Sequence, residues 1–183
     1  MVKEKDVQPI RSLQEIKKMK DSLYRHSGYR NYFLFVFGIN TGLRISDILP
    51  LQVHDIRNRQ YIRIREQKTE KLRIICINEY LHEEIEAYTR PLKSEEFLFP
   101  SRIGNSYITP TQAYRVLQKA AEMAGIEHVG NRTLPKTFGY HHYKKNKNLA
   151  TLQEIFSHSS PSITKRYIGI MQEKAEDTLK SFN

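Results

Sequence analysis

Cysteine is nearly missing from this chain. Cys76 stands alone, so no internal disulfide can form and a disulfide-stapled fold is excluded. It lies in the β-branched run 72–77, which reads as buried and argues against a redox role. Long apolar runs are missing as well. The longest, Tyr32 to Ile39, falls far short of the roughly 20 residues that a membrane helix requires and reads as a buried helix, so no membrane partner is expected. The opening residues MVKEKD hold no apolar signal core, and a cytoplasmic location is the expectation. No Cys/His cluster has zinc spacing, so neither a metal nor another cofactor is expected. No repeat, low-complexity tract or linker interrupts the sequence, and one domain over 1–183 is the simplest organisation.

Acids are scarce where bases gather. The chain has 30 Lys and Arg against 20 Asp and Glu, a formal charge of +10. The acids collect in 79–86 and 173–177, whereas 131–147 contains none. Such a distribution predicts one face more positive than the average and favours a polyanionic partner. Hydrophobic residues at 39% and aromatics at 10% suffice for a packed core.

Periodicity gives a mainly α fold with a small antiparallel β-sheet, an α+β class. Ser12 and Glu15 form a capping-box pattern ahead of a helix whose inner face is Leu13, Ile16, Met19 and Leu23. After Gly28, the segment YRNYFLFVFGINTG is a central helix closed by Asn40 and Gly42. LRISDILPLQVHDI follows as a short helix ended near Pro50. Two β-branched runs, YIRIREQ and LRIICIN, are joined by KTEK into a hairpin. Helices return in EYLHEEIEAYTR and in TPTQAYRVLQKAAEMAG, the latter capped by Thr109, with Pro110 in its first position and Gly125 after its end. NRTLPKTFGYHHYKK, ATLQEIFSH, SPSITKRYIGI and a polar C-terminal helix complete the chain.

Four positions carry chemistry, and each alone has a plainer reading. Arg44 opens a helix beside free main-chain N–H groups, which suits a phosphate, yet such an arginine is commonly just surface. Lys68 sits on the hairpin turn, where it reaches a groove or simply faces water. His158 and Tyr167, in a Ser/Thr/Pro-rich stretch, suit capping and packing. Together they change the picture. From about Ile10 onward the sequence resembles the catalytic domain of the tyrosine recombinase, or phage integrase, family. TGLRISDILPLQVHDI resembles that family's first arginine box, QKTEK its lysine-bearing hairpin, and FSHSSPSITKRYIGI the box with the second histidine and the tyrosine. The resemblance implies a tyrosine recombinase catalytic-domain fold and double-stranded DNA as the partner. Tyr167 would attack a DNA phosphate to give a 3′-phosphotyrosyl intermediate without a metal. Arg44 would hold a non-bridging oxygen, Lys68 would protonate the departing 5′-oxygen, and His158 would bond the phosphate. The side chains suit this independently. Charge on an in-flight phosphodiester is stabilised by aimed cations, and tyrosine needs positive neighbours to become a useful nucleophile. Lys71, Lys136, His141 and Arg166 are expected at the DNA, although of Tyr140, His141, His142 and Tyr143 only part can face it. His54 and Asp55 read as structural.

The family's remaining box, His-x-x-Arg, is degenerate here. Counted back from His158, its arginine slot falls on Pro135 and its histidine slot on Arg132. Proline fits the first turn of a helix, where its missing N–H had no partner, but it removes a guanidinium. Arg132, one turn back, has the reach for partial replacement; Lys136 lacks a bidentate fork. The chain also starts where the catalytic domain would, so the family's N-terminal core-binding domain is expected to be absent. The sequence therefore predicts a recombinase impaired at Arg132 and Pro135. A catalytically inactive DNA-binding regulator or repressor on the same scaffold is the alternative. The family's habit of exchanging its C-terminal helix makes 172–183 the expected contact of a homo-oligomer on DNA.

Overall fold

A computed structural model describes residues 7–181. Among them are ten helices and one two-stranded sheet, arranged around two apolar cores. No described helix is long and apolar enough to cross a membrane.

Helix α1 (Leu13–Ser27) starts where the Ser12 hydroxyl accepts from the Gln14 and Glu15 N–H groups at 3.2 and 3.4 Å. Met19 and Leu23 are fully buried and Ile16 partly so, but Leu13 is 74% exposed. The expected inner face thus begins one turn late, because Leu13 stands ahead of the turns that pack. Helix α2 (Tyr29–Thr41) is buried on nearly all sides, as its apolar run requires, with Phe33 to Phe37 inaccessible to solvent. Gly42 ends it in the left-handed region at φ 63°, its N–H bonded to the Gly38 carbonyl at 3.0 Å. The expected single helix near Pro50 is instead two short ones, α3 (Ile45–Ile48) and α4 (Val53–Ile56). The Asp55 carboxylate restarts the helix by accepting from the Gln52 N–H at 2.8 Å, which bears out its structural reading.

Strands β1 (Tyr61–Arg65) and β2 (Leu72–Cys76) form the hairpin, with Ile64 opposite Arg73. Alternation sends Ile62, Ile64, Glu66, Arg73 and Ile75 inward and Tyr61, Leu72, Ile74 and Cys76 outward. Cys76 is therefore exposed, contrary to its sequence reading, because it follows the buried Ile75 and takes the opposite face. Helix α5 (Glu79–Thr89) lays Tyr88 on Phe33 at 4.2 Å. Helix α6 (Pro110–Ala124) has the expected Thr109 cap, Pro110 in the first turn and Gly125 at its C-terminal end.

Helix α7 (Thr133–Asn146) spans both cores. It approaches α2 closely because two glycines lie beneath it: an added Cβ would stand 2.5 Å from Leu134 Cδ1 at Gly38 and 2.4 Å from Phe138 Cδ1 at Gly42. Helices α8 (Leu149–Phe156), α9 (Pro161–Tyr167) and α10 (Ile170–Lys180) form the smaller core with Tyr140, Leu152, Phe156, Ile168 and Ile170. Gly139 gives these helices their seat on α7, since a Cβ there would meet Ile168 at 2.6 Å and Phe156 at 2.9 Å.

Gly42→Ala combines a left-handed backbone with a collision against an aromatic ring. It should lower stability by about 2 kcal/mol or more. The measurement is the urea midpoint of the variant against wild type, and an unchanged midpoint would refute the close-packing account.

Candidate functional site

Arg44 lies between the Gly42 turn and α3, in an extended conformation that carries its side chain to the hairpin. Its Nη1 donates to Glu66 Oε2 at 3.1 Å and stands 3.9 Å from Asp47 Oδ2. Glu66, 3% exposed, also accepts from the Thr69 hydroxyl at 2.8 Å and pairs with Arg73 Nη1 at 3.5 Å. Arg73 in turn donates to the Thr41 carbonyl at 2.7 Å and the Gly42 carbonyl at 3.2 Å, capping the C-terminal end of α2. Burial alone would raise the Glu66 carboxyl, but the Thr69 hydroxyl, Arg44 and Arg73 outweigh it and hold it below the usual range. Asp47 is raised by burial, opposed by the Gln67 N–H that donates to its Oδ1 at 2.9 Å. Its Oδ2 has no hydrogen-bond partner among the described residues.

The second half of the site comes from α8 and α9. Ser157, left-handed at φ 53°, turns the chain so that His158 faces α9. His158 Nδ1 lies 3.1 Å from the Thr164 hydroxyl, and its ring centroid is 5.0 Å from that of Tyr167, edge to face. Tyr167, the last residue of α9, is half-buried and rests on Phe156 at 5.0 Å. Burial pushes its phenol up to about 12, while Arg44, Arg132 and Arg73 pull it down and Glu66 pushes it up. His158 is lowered first by burial and then by Arg44. The Arg44 charge therefore acts on both rings, and the two halves meet at one seam.

The N-terminus of α7 closes this seam. Arg132 is its N-cap residue, and Pro135 is buried in the first turn. The Lys136 N–H makes the first bond back, to the Arg132 carbonyl at 3.1 Å, so the missing Pro135 N–H breaks nothing. Lys136 Nζ donates to the Val7 carbonyl at 2.6 Å and lies 5.6 Å from the centroid of the Tyr167 ring. A cleft of about 390 Å³ opens beside Tyr167, lined by Gln8, Arg132, Lys136, Ile163, Arg166, Met171 and Gln172, three cations and no acid.

The structure thus places His158, Arg132 and Lys136 around Tyr167, with Arg166 lining the same cleft and Arg44 close enough for its charge to act on both rings. Lys68 and Lys71 sit exposed on the hairpin turn, without side-chain contact to this group among the described residues. His141 is engaged elsewhere, its Nε2 bonded to the Ile10 carbonyl at 2.9 Å. Glu66, Arg73, Asp47 and Thr164 escaped the sequence reading. Glu66 and Arg73 were findable by phase, since each is a charge in register with the inward isoleucines of its strand. No group of three or more His, Cys, Asp or Glu among the described residues is placed to hold a metal ion.

Comparison with known proteins places the chain in a family and agrees with the fold. The phage integrase family matches residues 10–174. A Bacillus subtilis (strain 168) protein described as probable integrase/recombinase YoeC is 51% identical over 176 residues, covering 96% of this chain and 97% of its own length. A tyrosine recombinase of Pseudothermotoga lettingae is 30% identical over 169 residues, 90% of this chain and 57% of that protein. Among solved structures, the XerH site-specific recombinase bound to palindromic difH substrate, a post-cleavage complex, superposes with a TM-score of 0.73 at 20% identity. That match covers 94% of this chain and 52% of XerH. The chain thus spans little more than half of these last two proteins, and at that identity XerH speaks for the fold alone.

Arg44→Ala removes a cation that lowers both rings of the seam. NMR titration of the His158 ring should show its pKa rising toward the ordinary 6.5 without reaching it, because burial still disfavours the charged form. The Tyr167 phenol should rise further, because Arg44 pulls it down. An unmoved His158 titration would separate Arg44 from the site.

Proposed function

The chain belongs to the phage integrase family, and on that footing we propose that it cleaves and rejoins double-stranded DNA as a tyrosine recombinase weakened by the loss of one phosphate-gripping arginine. The observation that carries this reading is the meeting of Arg44, His158 and Tyr167 at one seam beside an acid-free cationic cleft. The charge of +10 and the acid-free cationic cleft support duplex DNA as the partner.

In this reading the Tyr167 oxygen attacks the scissile phosphorus. The P–Oη bond forms as the P–O5′ bond breaks, leaving a 3′-phosphotyrosyl strand and a free 5′-hydroxyl. The phenol proton passes to solvent, and the departing oxygen takes a proton from Lys68 on the hairpin turn. Arg44 keeps donors for a non-bridging oxygen. Neutral His158, with Nδ1 on Thr164, offers Nε2 to the phosphate. The covalent bond stores the phosphodiester energy, so the strand can be resealed without a nucleotide.

Pro135 supplies no donor, and losing one such group commonly costs about 10²–10³ in rate. Arg132 lines the Tyr167 cleft and its charge pulls the phenol down, which supports partial replacement. Lys136 and Arg166 line the same cleft and suit the flanking backbone; Lys71 and the more distant His141 belong to the outer contact. One observation favours a second reading, a DNA-binding regulator that no longer cuts: the phenol stays as high as about 12 in a site short of one guanidinium. Helix α10 is the element we assign to contact between copies on paired sites. Within the chain it is held by Arg11–Glu176 and Lys144–Glu173, both at 3.1 Å. Residues 182–183 of that segment lie outside the described residues.

A pool of nicked duplexes with randomised sequence tests both readings. The recombinase reading expects a detergent-resistant protein–DNA adduct that Tyr167→Phe abolishes. Pro135→Arg should raise its rate by about 10²–10³, and Arg132→Ala should lower what wild type achieves. Specific DNA retention with no adduct, even from Pro135→Arg, would decide for the regulator.

A further inference from the structure

A buried acid in a site meant for an anion needs an explanation. Glu66 is 3% exposed, and its charge opposes both phosphate binding and ionisation of Tyr167. Its contacts supply the reason. Arg44 and Arg73 approach closely enough for each to act on the other's charge, and Glu66 sits between them, with Oε2 on Arg44 at 3.1 Å and Oε1 toward Arg73 at 3.5 Å. The pair is asymmetric. Arg73 is spent on the Thr41 and Gly42 carbonyls and on Glu66. Arg44 gives only Nη1 to the protein, leaving Nε and Nη2 without a hydrogen-bond partner among the described residues.

We propose that Glu66 is a positioning residue for strand cleavage: its carboxylate fixes the Arg44 fork so that the unused edge faces the scissile phosphate. The same carboxylate reaches the turn that carries Lys68. Thr69 donates to Glu66 Oε2 at 2.8 Å, and the Gln67 N–H donates to Asp47 at 2.9 Å, so both neighbours of Lys68 are tied to the arginine side of the site. Glu66, with Asp47 beside it, therefore sets the spacing between the phosphate grip and the proton donor. A guanidinium pivoting on a single bond gains most from a carboxylate that holds its other edge, because small misplacement of an aimed cation removes much of its effect.

This inference rests on the roles given to Arg44 and Lys68 above, and its test separates the two. Single-turnover adduct formation is measured for wild type, Glu66→Gln and Glu66→Asp on the duplex recovered from the randomised pool. A second duplex carries a methylphosphonate at the scissile position, which lacks the anionic oxygen that Arg44 grips. Glu66→Gln should lose about tenfold to a hundredfold on the phosphodiester, with DNA affinity unchanged or tighter. The loss should shrink on the methylphosphonate, and Glu66→Asp, which keeps the charge, should recover part of the rate. Equal losses on both substrates would overturn the proposal. A second measurement needs no DNA: the Nη resonances of Arg44, assigned with Arg44→Lys in ¹⁵N-arginine-labelled protein, should be dispersed in wild type and collapse in Glu66→Gln. Should Glu66→Gln lose cooperative unfolding, Glu66→Asp carries both comparisons. If wild type forms no adduct, the strand-cleavage reading fails by itself, and Arg44 resonances indifferent to Glu66 would still overturn the positioning role.

Discussion

Two guanidiniums do not share the end of one helix without an anion between them. Arg73 caps the last carbonyls of α2, Arg44 leaves the same end two residues later, and Glu66 fills the space between. Remove that carboxylate and two partly buried cations face each other, an arrangement far more costly than any exposed pair. The position of the hairpin, the exit of α3 and the direction of Arg44 all follow from this contact. Because Glu66 is anchored on the hairpin and Arg44 at the start of α3, the contact also joins the sheet to the helical layer.

Tyr167 comes from a different layer. Tyr167 and His158 rest on the small core of α8, α9 and α10, and α7 bridges that core to α2 through the glycine contacts at Gly38, Gly42 and Gly139. The electrostatics follow from that seam. Burial disfavours the ionised phenol and the protonated imidazole, and Arg44 stabilises the first while further disfavouring the second.

Much of this was legible from the amino acids. Gly42, Thr109, Pro110 and Gly125 marked helix ends because each residue type has a specific backbone reason to be there, and all four stand where expected. Pro135 sits in a first turn because proline removes a donor that the turn does not use. What escaped was set by tertiary phase. Cys76 looked buried in a β-branched run, yet the strand exposes one face, and Cys76 is on it. Leu13 matched the helical spacing but precedes the packed turns. Glu66 and Arg73 were overlooked because charged residues in a short strand suggest solvent, and only their register with Ile64 and Ile75 places them inside. Lys68 marks a further boundary: its place on a turn could be read from KTEK, but its distance from the seam depends on how the hairpin tilts.

The unequal size of the two cores has one more consequence. Among the described residues, five buried apolar side chains hold the layer that carries Tyr167, against thirty in the main core. Sub-global opening draws on the least buried region first, so α8 to α10 can loosen while α1 to α6 keep their packing. The exposure of Tyr167 is then tied to how firmly its own support packs, and so to local stability.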